Sequence, residues 1–221
     1  MRIVNDTLVD KVSLALREHI VSGQLPAGTP LRQEELSSRF GVSMGALREA
    51  FRILQKEGLV TIQPRRGVSV ASLSAAEARE LFEIRAFLEL GALELALPKQ
   101  RERDWEDAAS AQALVPQTQD PAEWPKLNWR FHESLYRAAG RPKLLSLIHS
   151  LHDNIDRYAR FYLETMKFYQ TSQDGHERLL DACRRRNLAQ ARDILREHMC
   201  HASKQLILYL SLEEANIEHR G

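Results

Sequence analysis

Residues 59–72 contain two short segments rich in β-branched side chains, LVTIQ and VSVAS, on either side of the turn sequence PRRG. This pattern predicts a β-hairpin with arginines at its tip. Helical patterns precede it at about 8–22 and 33–40, and a third begins after Ser43, a good N-cap, and ends at Gly58. A helix, a helix–turn–helix and a hairpin in this order are the plan of a winged helix–turn–helix.

After the hairpin, every remaining pattern is helical. Ser74 and Glu77 form a capping box that opens a long helix ending near Leu97. We expect Gly175 to be among the residues that separate the later helices. Those helical patterns cover about 101–114, 121–139, 143–169, 173–185 and 188–212.

The sequence therefore predicts a mainly α protein with two domains, a winged helix–turn–helix at 1–72 and an all-helical bundle at 73–221. Of the 221 residues, 43% are hydrophobic and 28% charged, as is typical of a soluble protein with a substantial core. No apolar run approaches the roughly 18–20 residues needed to cross a bilayer, so no membrane partner is expected. The N-terminal sequence MRIVNDTLVDKVSLALREHIV is interrupted by charges, unlike a signal peptide.

Cysteine content and charge bear on the compartment and the partner. Cys183 and Cys200 are the two cysteines and lack CxxC spacing, which disfavours a disulfide framework or a thiolate zinc site and favours a reducing cytoplasm. Residues 1–70 hold ten Lys/Arg and seven Asp/Glu, a net charge of +3, whereas the rest of the chain, with 21 and 23, carries −2. The chain thus has a mildly basic head on a mildly acidic body.

The stretch GVSMGALREAFRILQKEGLV carries the most specific functional signal. In a helix–turn–helix the N-terminal part of the second helix enters the major groove of DNA, so small residues and exposed donors are expected there. Ser43, Met44 and Gly45 stand at this end, followed by Arg48 and Arg52 on one face. Since arginine is the usual reader of guanine and a strong phosphate donor, these five residues are predicted DNA contacts.

The hairpin tip supplies a second set of candidate contacts. Arg65 and Arg66 lie beside the conformationally free Gly67, where they are placed to reach the minor groove or the DNA backbone. The alternative is that the arginines of the helix are solvated charges, paired with Glu49 or Glu57. The order of the surrounding elements favours DNA contact.

Two later helices direct polar side chains toward apolar faces. Asn128 and His132 are four residues apart on the helix at 121–139 and so share one face. On the helix that starts at Ser74, an arginine belongs to a stripe formed by Leu81, Arg85, Leu88, Ala92 and Leu95.

An unpaired charge at Arg85 would be unfavourable on that face, so the guanidinium needs a carboxylate partner. One interpretation is a structural ion pair with an internal acid such as Glu89 or Glu133. The other is an anion clamp for the carboxylate of a bound effector.

The sequence resembles the FadR-like branch of the GntR superfamily of transcription regulators, whose second domain is the all-helical, ligand-sensing FCD domain. The similarity covers nearly the whole chain and rests on LPAGTPLRQEELSSRFGVS, ALREAFRILQKEGLV, QPRRGVSV, ELFEIRAFLELGALELA, FHESLYRAAGRPKLL, GHERLL and LREHM. It implies a bacterial regulator whose DNA contacts fall at Arg32, Ser43, Arg48, Arg52 and Gly67. Many members have Ser-Arg-Thr-Pro where this chain has Ser43-Met44-Gly45-Ala46, so we expect it to recognise different bases.

FCD domains share an inward-facing metal site made of one Asp and three His, which the resemblance maps onto Asn128, His132, His176 and His198. Imidazole nitrogens suit Zn²⁺, Ni²⁺ and similar divalent ions, and their convergence across a helical bundle is the usual construction. Because Asn128 replaces the carboxylate with an uncharged amide, we expect weaker binding, a different ion or an empty site. For each histidine alone, the alternative is a hydrogen-bonded core residue.

The resemblance also implies a pocket for a small organic acid, which makes Arg85 a predicted effector-binding residue. His149 and His152, one turn apart, are candidates for the same cavity or for the surface, and His149 is taken as an effector contact. Tyr158 is a further candidate from an aromatic stripe that is alternatively core, together with Tyr162 and Tyr169.

The leading functional hypothesis is a homodimeric, ligand-responsive repressor or activator that binds a pseudo-palindromic operator in double-stranded DNA. The first alternative is a DNA-binding dimer whose helical domain is purely structural. The second is a metal-dependent helical-bundle enzyme, which the lack of HExxH and of the paired Glu-x-x-His motifs disfavours. We therefore expect no catalytic residues.

Overall fold

The structure of the chain, a computed structural model, describes residues 7–117, 123–166 and 168–218. Within these ranges it describes all side chains except those at 117, 157–166, 168–171, 213 and 216–218. The chain divides into two compact units, Met1–Ser72 and Leu73–Gly221. The described residues are mainly helical with one two-stranded sheet, which confirms the predicted fold class.

The first unit consists of three helices and a hairpin. Thr7 caps the first helix in a capping box with Asp10. Ser43, the predicted N-cap, caps the third helix by accepting the Ala46 N–H at 3.2 Å. Gly41 ends the second helix in the left-handed conformation, with φ of 63°. The elements are α1 (Leu8–Val21), α2 (Gln33–Phe40), α3 (Met44–Lys56), β1 (Val60–Gln63) and β2 (Gly67–Val70).

An apolar core joins the helices of the first unit to its hairpin. β1 and β2 are antiparallel, with Val60 opposite Val70 and Ile62 opposite Val68. The hairpin turns its valines onto the helices, so that one continuous cluster forms. Its buried members are Val12, Leu16, Ile20, Leu31, Leu36, Val42, Leu47, Ala50, Phe51, Leu54, Leu59, Val60, Val68 and Val70.

The regular secondary structure in the described residues of the second unit is entirely helical. Ser74 and Glu77 form the predicted capping box at the start of its first helix. Within the described part of the chain, no helix has both the length and the apolar character to span a membrane. The helices are α4 (Ala75–Ala96), α5 (Glu102–Leu114), α6 (Trp124–Tyr136), α7 (Pro142–Met166), α8 (Phe168–Arg184) and α9 (Leu188–Glu218).

The prediction that Gly175 separates two helices was wrong, because α8 runs through it without interruption. A Cβ atom at Gly175 would lie 2.7 Å from His198 Nδ1, closer than non-bonded atoms approach. Glycine is therefore needed here for the close approach of α8 to the His198 ring and not for a turn.

A layer of polar side chains lies between two hydrophobic clusters of the second unit. Along α4, Phe82 belongs to one cluster and Ala92 to the other, and the buried Arg85 and Glu89 lie between them. Along α7, His152 stands in the same way between Ile148 and Ile155, which pack in different clusters. The candidate sensing site is built from this layer.

Candidate functional site

The residues predicted to contact DNA all belong to the first unit and lie at its surface. Ser43 keeps its hydroxyl proton available although its oxygen caps α3, since a hydroxyl both donates and accepts. Met44 is partly buried and the others are exposed. The set is Arg32, Ser43, Met44, Gly45, Arg48, Arg52, Arg65, Arg66 and Gly67.

The two arginines of α3 differ in their present partners. Arg48 Nε donates to Gln33 Oε1 at 3.3 Å, which ties α3 to the start of α2. Arg52 pairs with Glu49 at 2.6 Å, and both side chains are more than half exposed. An exposed pair of this kind contributes about 0–1 kcal/mol, so a phosphate group can replace the glutamate at little cost. The other proposed acid, Glu57, pairs with Arg17 at 2.7 Å.

The tip of the wing is a tight turn between β1 and β2. The Arg66 N–H donates to the Gln63 carbonyl at 3.2 Å. Arg65 and Gly67 both have positive φ angles, 66° and 89°. Residues other than glycine rarely adopt this backbone conformation. The turn holds the Arg65 and Arg66 side chains in solvent.

Arg85 pairs with Glu89, one turn further along α4. Its Nε donates to Glu89 Oε1 at 2.8 Å, and its Nη2 lies 2.8 Å from His152 Nε2 on α7. All three side chains are buried. Glu133, the other acid considered as a partner, is exposed. The structure therefore contains the internal ion pair, and Arg85 also lines the cavity described below.

Glu89 is an ionised carboxylate in this interior. Burial alone would raise its pKa, but the positive charge of Arg85 and a hydrogen bond from His152 outweigh burial and hold the pKa well below its usual range. Conversely, burial and the neighbouring Arg85 lower the pKa of His152 to about 4, so His152 is neutral near pH 7.

The metal-site candidates of α6 continue this network. Tyr136 donates its hydroxyl proton to Glu89 Oε2 at 2.9 Å, and His132 Nδ1 lies 3.2 Å from the same hydroxyl. On its other side, His132 Nε2 lies 3.2 Å from His176 Nε2 of α8. Asn128, His132 and Tyr136 are spaced by four residues and therefore share the buried face of α6.

Three histidines converge at this point. One ring nitrogen from each of His132, His176 and His198 lies within 4.8 Å of the others, a group that is able to hold a metal ion. Burial lowers the pKa of His132 and His176 well below the usual range, and it lowers that of His198 to about 4. All three are therefore neutral near pH 7, which is the form that binds metals.

A cavity of about 50 Å³ adjoins these histidines and is lined in part by Arg85, Asn128, His132 and His198. Two of its buried polar atoms, Asn128 Oδ1 and Trp124 Nε1, have no hydrogen-bond partner among the described residues. Unpaired buried polar atoms are rare and costly. Asp156 also lines the cavity, and burial raises its pKa to about 8.

The structure brings most of the predicted sensing residues together, but not His149. His149 stacks on Trp129 with ring centroids 4.4 Å apart, and its side chain is 48% exposed and outside the cavity lining. His152, three residues later on α7, faces the interior, whereas His149 lies nearer the solvent-exposed side of the same helix. The side chain of Tyr158 lies outside the described residues, as do those of Tyr162 and Tyr169.

The sequence interpretation missed the roles of Tyr136 and Trp124. The spacing Asn128, His132, Tyr136 would have revealed the first, because a helix places these side chains in one row. Trp124 offers no comparable signal, since a buried tryptophan is ordinarily a core residue.

Comparison with known proteins identifies the family. Residues 8–70 match the family model for bacterial regulatory proteins of the gntR family, and residues 80–201 match the FCD domain. The chain belongs to this family. It is a ligand-responsive, DNA-binding transcriptional regulator, and its family consists of regulators rather than enzymes.

Individual relatives agree with this assignment of the regulator. It is 28% identical over 196 residues to the HTH-type transcriptional repressor GlaR of Escherichia coli, covering 83% of this chain and 89% of that protein. The crystal structure of a GntR-family regulator from Pseudomonas syringae pv. tomato is similar, with a TM-score of 0.60 and 31% sequence identity. The match covers 95% of this chain and 88% of that protein. McbR/YncC of Escherichia coli has the same fold, with a TM-score of 0.78 at 21% identity, over 94% of this chain and 99% of its own.

Proposed function

We propose that this regulator senses a small organic acid through a divalent metal ion, Zn²⁺ or Ni²⁺, and that the bound acid changes its affinity for an operator. It acts as a homodimeric repressor in the bacterial cytoplasm. The observation that carries the proposal is the convergence of three neutral imidazoles, two buried and one half-buried, beside a cavity with unpaired polar atoms.

The donor set fits such an ion. Two nitrogens that bind one tetrahedral Zn²⁺ at about 2.0–2.1 Å lie about 3.3 Å apart, and His132 Nε2 and His176 Nε2 are separated by 3.2 Å. His198 supplies a third nitrogen, and the unpaired Asn128 Oδ1 a fourth, uncharged donor. The ion would place a positive charge at the cavity, which attracts a carboxylate.

Two further groups support an acidic effector. Trp124 Nε1–H has no acceptor among the described residues, and a carboxylate oxygen in the cavity would satisfy it. Arg85 lines the same cavity and uses Nε and Nη2 within the protein, while its Nη1 makes no hydrogen bond to a described residue. A guanidinium and an indole N–H together favour an anion over a neutral ligand.

The polar layer offers a route for the response. A ligand in the cavity would contact Arg85 on α4. In the sequence, α4 comes shortly after the last residues of the first unit. A change in operator affinity requires that the effector bind two arrangements of the protein with different affinity.

An exposed apolar face of α4 supports the homodimer. Phe87 is 82% exposed, and Ile84 and Leu95 are exposed on the same face. A second copy would remove these side chains from water, and two-fold symmetry then predicts a pseudo-palindromic operator.

The small free volume of the cavity favours a second candidate function, a DNA-binding dimer whose helical domain is purely structural. Its Arg85–Glu89 pair would then serve stability alone. Absence of metal binding would favour the structural domain, because the proposed sensing requires the ion.

The test is titration of the full chain, purified without chelators, with Zn²⁺ and Ni²⁺. We expect one ion per chain, loss of binding in His176→Ala and normal binding in His149→Ala, whose ring lies outside the cavity. Absence of binding by the wild type, with elemental analysis also negative, would leave the structural domain as the better account.

A further inference from the structure

The side chain of Tyr136 lies between two groups that the metal hypothesis alone does not connect. Its hydroxyl is 2.9 Å from Glu89 Oε2 of α4 and 3.2 Å from Nδ1 of His132, one turn earlier on α6. All three side chains are at most 1% exposed, so no bulk water competes for these contacts. The hydroxyl has one proton and can donate it to only one of these two neighbours at a time.

The chemistry of the neighbours decides where that proton goes. Glu89 is held ionised by Arg85, whose Nε donates to its other oxygen at 2.8 Å, and an ionised carboxylate only accepts hydrogen bonds. It is a stronger acceptor than a neutral imidazole. The Tyr136 proton accordingly points at Glu89, which leaves the phenol oxygen to accept a proton from His132 Nδ1.

A neutral imidazole carries one proton, so a proton on Nδ1 leaves Nε2 with its lone pair. In His132 that atom faces His176 Nε2 at 3.2 Å, on the side where the three histidines converge. We propose that Tyr136, oriented by Glu89, is a positioning residue that fixes His132 in the Nδ1–H tautomer and so keeps Nε2 ready to bind a metal ion. This inference rests on the proposed metal-sensing function.

The anchoring of Glu89 makes this arrangement stiff. Its Oε1 contacts Arg85 and lies 3.1 Å from His152 Nε2, and its Oε2 receives the tyrosine proton. Glu89 and Tyr136 thus act on His132 much as a carboxylate acts directly on a metal-binding histidine in other proteins, with a phenol inserted between them.

The test compares wild-type protein with Tyr136→Phe, which removes the hydroxyl alone. Tyr209→Phe is the matched control, because it also removes one hydroxyl, from a tyrosine of α9 that packs against the hydrophobic cluster containing Phe82. Zn²⁺ affinity is measured by competition with a chromophoric chelator. The tautomer of His132 is measured separately, in metal-free protein, from two-bond ¹H–¹⁵N NMR correlations of the imidazole ring.

We expect the Nδ1–H tautomer at His132 in the wild type and in Tyr209→Phe. In Tyr136→Phe we expect a mixture of tautomers and a Zn²⁺ affinity about 10–100-fold lower, the usual effect of removing an outer partner of a metal-binding histidine. An Nε2–H tautomer in the wild type would overturn the inference, even if the variant fails to fold. So would an unchanged affinity in a folded variant.

Failure of the proposed function has a different signature. A wild type that binds neither Zn²⁺ nor Ni²⁺ contradicts metal sensing, whereas the tautomer of His132 is read without any metal. If His132 is in the Nδ1–H tautomer in such a protein, its hydrogen bonds with Tyr136 serve only the stability of the fold. That outcome would overturn the metal-positioning role.

Discussion

The two units of this regulator use polar side chains in opposite ways. In the first unit the core is an apolar cluster around Leu47, Phe51 and Leu54, and Ser13 is the single buried polar residue among those described. The arginines predicted to contact DNA are exposed. In the second unit, Arg85, Glu89 and several histidines are buried in a layer between two apolar clusters.

This difference fits the two tasks. A DNA-binding surface needs a rigid support and positively charged side chains that can release water or an acidic partner and bind phosphate instead. An apolar core with exposed arginines provides both. A sensor needs interior groups whose partners change when a ligand arrives. A hydrogen-bonded layer can exchange partners, whereas a close-packed apolar core cannot.

The largest test of the comparison is Phe51→Ala in the apolar core. Truncation of a buried phenylalanine leaves a cavity and is expected to lower the free energy of unfolding by about 4 kcal/mol. Urea denaturation measures this loss, and Zn²⁺ titration should show an unchanged affinity. Equal damage to both properties would contradict the separation of the two cores.

The next effect is expected from Glu89→Gln in the polar layer. This change leaves Arg85 buried without its counter-charge, which should destabilise the second unit by about 3 kcal/mol. Thermal and urea denaturation provide the measurement.

The double variant Arg85→Met, Glu89→Leu is the control, because replacing a buried ion pair by apolar residues is often neutral. We expect it to recover stability but to lose effector binding. A single variant as stable as the wild type would show that the layer is not a coupled network.

Gly175→Ala tests the close approach of α8 to His198. The added Cβ would lie 2.7 Å from His198 Nδ1, and overpacking of this kind costs about 2 kcal/mol. Zn²⁺ affinity should fall together with the free energy of unfolding, because the His198 ring must move away from the added methyl group. Gly91→Ala is the matched control on α4, where a Cβ meets nothing within 4 Å; a similar loss in both variants would count against a specific contact with His198.

Asn128→Asp should strengthen the metal site. The new carboxylate would supply the negative charge that the amide lacks, and we expect Zn²⁺ to bind at least about tenfold more tightly, equivalent to about 1.4 kcal/mol. Competition with a chelator measures the change. Unchanged or weaker binding would place Asn128 Oδ1 outside the coordination of the ion.

The smallest change in stability is expected for Arg48→Ala. Its side chain is exposed and donates a single hydrogen bond to Gln33, so the free energy of unfolding should change by less than about 0.5 kcal/mol. Operator affinity should nevertheless fall by about 1–3 kcal/mol. Gel-shift titration measures it, with Arg178→Ala in the second unit as control. Normal operator binding would remove Arg48 from the recognition surface.

Local signals in the sequence were sufficient for most elements. The caps at Ser43 and Ser74 and the hairpin around Arg65 and Arg66 are where they were predicted. These features depend on residues within one or two turns of each other. The buried face of α4 was predicted less well, because Leu95 is 41% exposed while Glu89 is fully buried. That helix is apolar on several sides, so periodicity alone does not choose its inner face.

The sequence by itself determined the order of helices and strands, the winged module and the set of histidines available to a metal. The tertiary structure decided which polar groups meet: Arg85 with Glu89 and His152, Tyr136 with His132, and Gly175 with His198. The physical reason is that a helix forms from local interactions, whereas a buried polar atom must find a partner wherever the packing of distant helices brings one.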